Sequence, residues 1–323
     1  MGKPSVFVTR RWPNAVESRL SETYDTTFNR QDRALTPTEL QEALRKYDAV
    51  LPTVTDSFHA EVLDVASPKT RFLGNFGVGY SHICEESARA LELTVTNTPG
   101  VLSECTADLT IMLMLMVARR AGEGERELRS GNWSGWAPTH MVGTKVSGKR
   151  LGIIGFGRIG QEVARRAHHG FGMNVVVYNR SAISSKVLAE CGARQVDTLD
   201  GLIPQCDFLS LHCPGGSSNR HLINAERLRL MNRDAYIINT ARGEVIDEFA
   251  LAEALEDGSI GGAALDVFEG EPIINASLLE CGKTVLLPHL GSATLETRQA
   301  MGFRVIENLD DFFEGREPRD RVI

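Results

Sequence analysis

The 323-residue chain has no run of apolar residues long enough to cross a bilayer. Its longest, residues 111–118, is eight residues, against the roughly 18–20 that a spanning helix needs. That run reads as a buried helix. Residues 1–6 lack the apolar segment of a secretory leader, and Val6 stands where a myristoylation signal carries Ser or Thr. Six cysteines (Cys84, Cys105, Cys191, Cys206, Cys213 and Cys281) are scattered without one C-x-x-C pair. Neither a zinc site nor a redox dithiol is expected, and reduced thiols in a cytoplasmic protein are the simplest reading. Positive charge is also short: 35 Lys and Arg against 42 Asp and Glu leave a net −7. No nucleic-acid or membrane partner is therefore expected, and an anionic substrate would need a locally positive pocket. Sequence repeats, low-complexity segments and long linkers are missing too.

What is present is the composition of a globular protein, 42% hydrophobic and 24% charged, at a length suited to two domains. Short apolar runs alternate with helical patterns throughout. Residues 6–8, 49–51, 72–73 and 93–95 are expected strands of a first α/β unit. A helix is expected from about Glu104 to Leu128, followed by a loop bearing Trp133 and Trp136. A second series of strands is then expected at 151–154, 175–178, 208–212, 236–239, 263–267 and 285–287, and a final helix over 292–313. Strands separated by helices of this length predict doubly wound, mainly parallel sheets.

Gly155-Phe156-Gly157-Arg158-Ile159-Gly160 is a G-x-G-x-x-G sequence between an apolar strand and a helix-forming segment, 161–167. That context fits a dinucleotide site. The first glycine permits the turn, the second admits a pyrophosphate, and the third lets helix and strand approach, with Arg158 and Ile159 at the helix amino terminus. An NAD site expects Asp or Glu about 20 residues further on. Asn179-Arg180-Ser181 stands there instead. No carboxylate would repel a 2′-phosphate and Arg180 can pair with one, so NADP(H) is expected, with NAD(H) as the alternative.

Further along, Arg242, Glu271 and His289 each follow an expected strand. In an open parallel sheet, ligands bind outside the carboxyl ends of the strands, the edge that carries the glycine motif. Arg242 can hold a carboxylate and polarise a neighbouring keto oxygen. His289 can donate a proton to that oxygen as hydride arrives, and Glu271 can orient the ring and favour its charged form. No metal is needed for this chemistry.

Four ordered segments, the glycine motif, 239–243, 264–272 and 288–291, resemble the D-isomer-specific 2-hydroxyacid dehydrogenase family. The resemblance covers nearly the whole chain and is greatest to glyoxylate/hydroxypyruvate reductases. It implies a Rossmann dinucleotide-binding domain, residues 102–290, inserted into a flavodoxin-like substrate domain, residues 1–101 plus 291–323. It also implies catalytic roles for Arg242, Glu271 and His289, of which Arg242 and His289 also bind substrate. Cofactor contacts are implied at Thr110, Cys213, Pro214, Thr240, Ala241 and Gly291, and Asp266 is implied to bind the carboxamide. In Asn75-Phe76-Gly77-Val78-Gly79-Tyr80, the backbone N–H groups of Val78 and Gly79 are implied to bind substrate carboxylate. Successive N–H groups in a glycine-rich turn suit that task. The family often places acidic residues next, where this chain has Ser81 and Cys84. Residues 51–53 are expected to form a pocket wall, and the 133–140 loop resembles a dimer contact, with Trp136 able to reach a neighbouring site. His212 lies in the family's cofactor stretch, whereas His59, His82, His140, His168, His169 and His221 read as structural or solvated.

The expected function is NADPH-dependent reduction of glyoxylate, hydroxypyruvate or a similar small 2-keto acid. Two alternatives remain open: a nicotinamide-sensing, corepressor-like binding protein, and the same fold acting on a bulkier keto acid, 3-phosphoglycerate or phosphite. A regulatory domain of the kind phosphoglycerate enzymes carry is not expected in a chain of this length.

Overall fold

The computed structural model describes residues 2–323. Within them the chain gathers into two compact units, one running to Leu102 and resuming at Ala293, the other formed by Ser103–Ser292. In the first, β1 (Ser5–Val8), β2 (Asp25–Phe28), β3 (Ala49–Leu51), β4 (Phe72–Gly74) and β5 (Thr94–Thr96) form a sheet in the order β2-β1-β3-β4-β5, every pair parallel. That is the flavodoxin-like order. Strands β3, β4 and β5 are buried throughout. Continuous burial is why β3 and β4, of sequence AVL and FLG, show no polar–apolar alternation. On one face Leu40 and Leu44, from the helix Pro37–Lys46, join Val50, Leu73, Val95 and Ile323 in a core. On the other, the helix Leu295–Phe313 packs on β4. Gly74 permits this approach, since a Cβ there would lie 2.7 Å from Val305 Cγ1.

The second unit holds seven parallel strands: β6 (Arg150–Ile154), β7 (Asn174–Tyr178), β8 (Ala193–Gln195), β9 (Phe208–Leu211), β10 (Tyr236–Asn239), β11 (Gly262–Leu265) and β12 (Thr284–Leu286). Their order is β12-β11-β10-β9-β6-β7-β8. Counted from β6, this is the 3-2-1-4-5-6 arrangement of a Rossmann fold with one strand added. The reversal of order falls between β6 and β9, so a crevice is expected at their carboxyl ends. One face is covered by a core around Leu209, Ile237 and Leu265, the other by a core around Ile153, Phe208 and Ile238. The helix Ser103–Ala118 lies over β10, β11 and β12 and against the helix Arg158–Arg165.

The structure departs from the sequence expectations in several places. Strands β2 and β8 were not expected. Both are partly exposed edge strands of polar sequence, DTTF and ARQ, and carry little apolar signal. The helix expected to reach Leu128 is two helices, Ser103–Ala118 and Ala121–Arg129, divided at Arg120 with a left-handed φ of 53°. Gly122 and Gly124 disfavour continuation, and the second helix buries no residue that would hold it in line. The helix expected over 161–167 starts at Arg158 and passes after Arg165 into a π-helical turn, Arg166–Gly170. Strands β9 and β11 stop at Leu211 and Leu265, which leaves His212, Asp266 and Val267 in loops. Among the described residues no helix is long and apolar enough to cross a membrane.

Candidate active site

The turn after β6 is built for a close ligand. Gly155 has φ +87°, and a Cβ there would meet the backbone of His212 and Cys213 at 2.7 Å. At Gly160 a Cβ would lie 2.4 Å from the Gly155 carbonyl oxygen, so glycine lets the helix seat directly on the turn. Gly157 differs: none of the described residues stands within 4 Å of where its Cβ would be. The free space is at the amino terminus of the helix Arg158–Arg165, whose first N–H groups and positive dipole end suit an anionic pyrophosphate. The chain therefore fits a dinucleotide at this position.

Asn179, just past β7, fixes the turn. Its Oδ1 accepts from the Phe156 N–H at 3.1 Å, and its Nδ2 donates to the Ser181 carbonyl and hydroxyl oxygens at 3.1 and 3.0 Å. With both ends of the amide engaged, Asn179 shapes the 179–181 loop and presents no carboxylate. Arg180 Nη2 donates to the Ser218 carbonyl at 3.3 Å and to Asn219 Oδ1. Asn219 in turn donates to the Pro214 carbonyl at 2.8 Å. The guanidinium is thus steered by the loop after β9 while remaining exposed.

Arg242, Glu271 and His289 lie on loops after β10, β11 and β12. Asn239 shapes the first loop: its Oδ1 accepts from the Ala241 N–H at 3.0 Å, and its Nδ2 donates to the Arg242 carbonyl at 2.9 Å. Among the described residues, the guanidinium makes one hydrogen bond, Nη1 to the Ala241 carbonyl at 2.7 Å. The other N–H groups of its fork remain available to a ligand. Burial lowers the Arg242 pKa, opposed by the charges of Glu271 and Glu244. Gly243 brings this loop against the next, because a Cβ there would fall 1.9 Å from the Phe268 carbonyl carbon.

His289 Nδ1 lies 2.8 Å from Glu271 Oε2. A carboxylate can only accept, so Nδ1 carries the proton and Nε2 faces elsewhere. The two side chains are 32% and 34% exposed, which leaves the pair reachable by a small molecule. Burial pushes the Glu271 pKa up, but the bond and charge of His289, the Phe268 N–H and the Arg242 charge outweigh it, so the net shift is downward. Glu271 is therefore ionised at neutral pH.

His289 has a left-handed φ of 56°, a conformation uncommon outside glycine and found at strained functional sites. Asp266 holds it there. Its carbonyl accepts from the His289 N–H at 2.9 Å, and its carboxylate oxygens accept from the N–H groups of Leu290 and Gly291 at 2.7 and 2.8 Å. Burial raises the Asp266 pKa despite these bonds. The Gly291 carbonyl accepts from Thr106 Oγ1 at 3.1 Å, and Thr110 and Thr240 share a hydroxyl contact of 2.9 Å. Beside the glycine turn, burial keeps His212 neutral, with its pKa down at about 3 and Nε2 against Ser210 Oγ at 2.8 Å. Burial also pushes the Cys213 thiol up to about 11.

Three supports were not read from the sequence: Asn239, the close approach at Gly243, and a cluster around Glu269. His221 Nε2 lies 2.8 Å from Glu269 Oε2, and Arg220 donates to Oε1 at 2.6 Å. This ties the 214–221 segment to the loop that bears Glu271. A pairable His and Arg beside each other were the available signal, but their partner lies 48 positions away from His221.

In the other unit, Val78 and Gly79 follow β4 on a partly exposed loop. Among the described residues their N–H groups make no hydrogen bond within the chain. Trp133 and Trp136 are exposed, the latter at 83%.

Comparison with known proteins agrees with this architecture. Residues 111–291 match the model of the D-isomer specific 2-hydroxyacid dehydrogenase NAD binding domain. A glyoxylate reductase of Thermococcus litoralis is 42% identical, covering 99% of this chain and 97% of its own. The chain belongs to the D-isomer-specific 2-hydroxyacid dehydrogenase family. It is an oxidoreductase of the nicotinamide-dependent kind. Among solved structures, a Thermus thermophilus protein superposes with a TM-score of 0.90 at 39% identity, covering 99% of this chain and 100% of that one. An NADPH-dependent glyoxylate/hydroxypyruvate reductase of Sinorhizobium meliloti, solved with NADP and malonate, gives a TM-score of 0.88 at 33% identity, covering 99% and 97%.

Proposed function

We propose that the enzyme reduces glyoxylate, hydroxypyruvate and similar short 2-keto acids to 2-hydroxy acids, glycolate and D-glycerate among them, with NADPH preferred over NADH. The observation that carries this reading is the His289–Glu271 pair in the same unit as Arg242, whose guanidinium makes one hydrogen bond among the described residues. The names of the Thermococcus and Sinorhizobium relatives support the substrate class.

Gly155, Gly157, Arg158, Ile159 and Gly160 hold the pyrophosphate. Cys213 and Pro214 contact the cofactor beside the glycine turn, and Thr110, Thr240, Ala241, Asp266 and Gly291 serve the nicotinamide end, with the Asp266 carboxylate able to accept further bonds through its remaining lone pairs. When bound, the nicotinamide supplies the hydride. The backbone N–H groups of Val78 and Gly79 receive the substrate carboxylate. Arg242 can hold a carboxylate and polarise a neighbouring keto oxygen. Because Glu271 fixes the proton on Nδ1, charged His289 delivers its other proton from Nε2 to the developing alkoxide. The loop elements of the first unit form the substrate domain, with residues 51–53 as a wall.

Support for NADPH comes from the end of β7. Asn179 offers no carboxylate, and Arg180 and Ser181 supply a cation and a hydroxyl to a 2′-phosphate. Arg180→Ala is expected to weaken NADPH binding by about 10- to 100-fold, the scale of a charge-assisted hydrogen bond. NADH binding should stay nearly constant. Titrating both nucleotides by fluorescence checks this, and equal weakening of the two would remove the assignment. The exposed Trp133 and Trp136 suit burial against a second copy of the chain, consistent with a homodimer, and the six unbridged cysteines suit a cytoplasmic setting.

A further inference from the structure

The 77–79 loop is flanked by glycines, yet each of its carbonyls is held. Asn75, just beyond β4, donates from Nδ2 to both the Gly77 and Gly79 carbonyls at 3.0 Å. Asn97, just beyond β5, donates from Nδ2 to the Val78 carbonyl at 2.8 Å. The Thr98 N–H adds a second bond to the Gly77 carbonyl at 3.0 Å. Asn75 is fully buried and Asn97 nearly so.

A trans peptide is planar, with the carbonyl of one residue and the N–H of the next pointing in opposite directions. Holding the Gly77 carbonyl inward therefore turns the Val78 N–H outward. Holding the Val78 carbonyl does the same for Gly79, and holding the Gly79 carbonyl does so for Tyr80. None of these N–H groups finds a partner within the chain among the described residues. Without such restraint a glycine-flanked segment samples many backbone conformations, and its N–H groups would not stay convergent.

We propose that Asn75 and Asn97 are positioning residues for the substrate carboxylate, clamping the carbonyls of residues 77–79 so that the N–H groups of Val78 and Gly79 stand ready for an anion. This deepens the function proposed above and rests on it. Asn97 governs the Gly79 N–H, and Asn75 governs those of Val78 and Tyr80. Packing alone does not account for Asn75: among the described residues its buried Oδ1 finds no partner, a costly arrangement offset by the two bonds from its Nδ2.

The test uses the full-length enzyme, with hydroxypyruvate and NADPH in steady state. Asn97→Ala is expected to raise the KM for hydroxypyruvate by about tenfold or more, while kcat and the NADPH dissociation constant change by less than about threefold. Asn97→Asp keeps the shape but sets a carboxylate against the Val78 carbonyl, so its KM should rise further. Because this variant is nearly isosteric, it carries the test if the alanine variant loses its cooperative melt. Competitive inhibition by oxalate should weaken in parallel with the KM. An unchanged KM in either folded variant overturns the proposal. So does a loss of nucleotide affinity matching the loss of substrate affinity, which would mark a merely structural role. Failure of the parent enzyme to turn over any keto acid would instead overturn the proposed function itself.

Discussion

His289→Ala is expected to lower kcat with hydroxypyruvate by about 10²- to 10⁴-fold, the span attributed to a positioned general acid. Nucleotide affinity should hardly change. The separation of effects follows from how the residue is mounted. Its left-handed backbone is fixed through its own N–H and the neighbouring N–H groups of Leu290 and Gly291, all bonded to Asp266. None of that needs the imidazole, so the loop should keep its path. What disappears is the proton that Glu271 helps to place, through the 2.8 Å contact at Nδ1. Stopped-flow turnover beside fluorescence titration of NADPH reads the two effects separately. Turnover equal to that of the parent enzyme would remove the acid role from His289.

Arg242→Ala should reduce kcat/KM by on the order of 10²- to 10³-fold, comparable to removing one preorganised charge-stabilising donor. Arg242→Lys should recover only part of this, because an ammonium cannot reproduce a planar fork on a carboxylate. The arginine is half-buried, and burial works against its charge while Glu271 and Glu244 support it. The backbone of its loop is held by Asn239, which bonds both the Ala241 N–H and the Arg242 carbonyl. Steady-state kinetics of the two variants, with thermal melts to verify folding, measure the effect. Full activity in the lysine variant would contradict bidentate recognition.

The central strands were legible because parallel strands covered on both faces are mostly apolar, as in Ala49–Leu51 and Gly262–Leu265. Edge strands escape that requirement. Asp25–Phe28 and Ala193–Gln195 pair on one side only and keep polar residues, so no pattern announced them. The break at Arg120 was hidden because the charged residues around Gly122 and Gly124 favour helices and offset the signal of the two glycines. For the site, Arg242, Glu271 and His289 could be named because each follows a strand end and together they resemble a family's ordered motifs. The supports could not. Whether Asp266 reaches the N–H groups 24 and 25 residues away depends on where β11 and β12 stop. Contact between Gly243 and Phe268 depends on the register of β10 against β11. Such facts belong to the folded sheet and leave no local trace in composition or spacing.

The central claim is small-acid reduction with NADPH, and its most direct test is steady-state oxidation of NADPH and NADH, in parallel, with glyoxylate, hydroxypyruvate, pyruvate and phenylpyruvate. Turnover of glyoxylate and hydroxypyruvate, faster with NADPH than with NADH, is the predicted result. No turnover of any of the four acids with either nucleotide, by folded protein that still binds nucleotide, would contradict it.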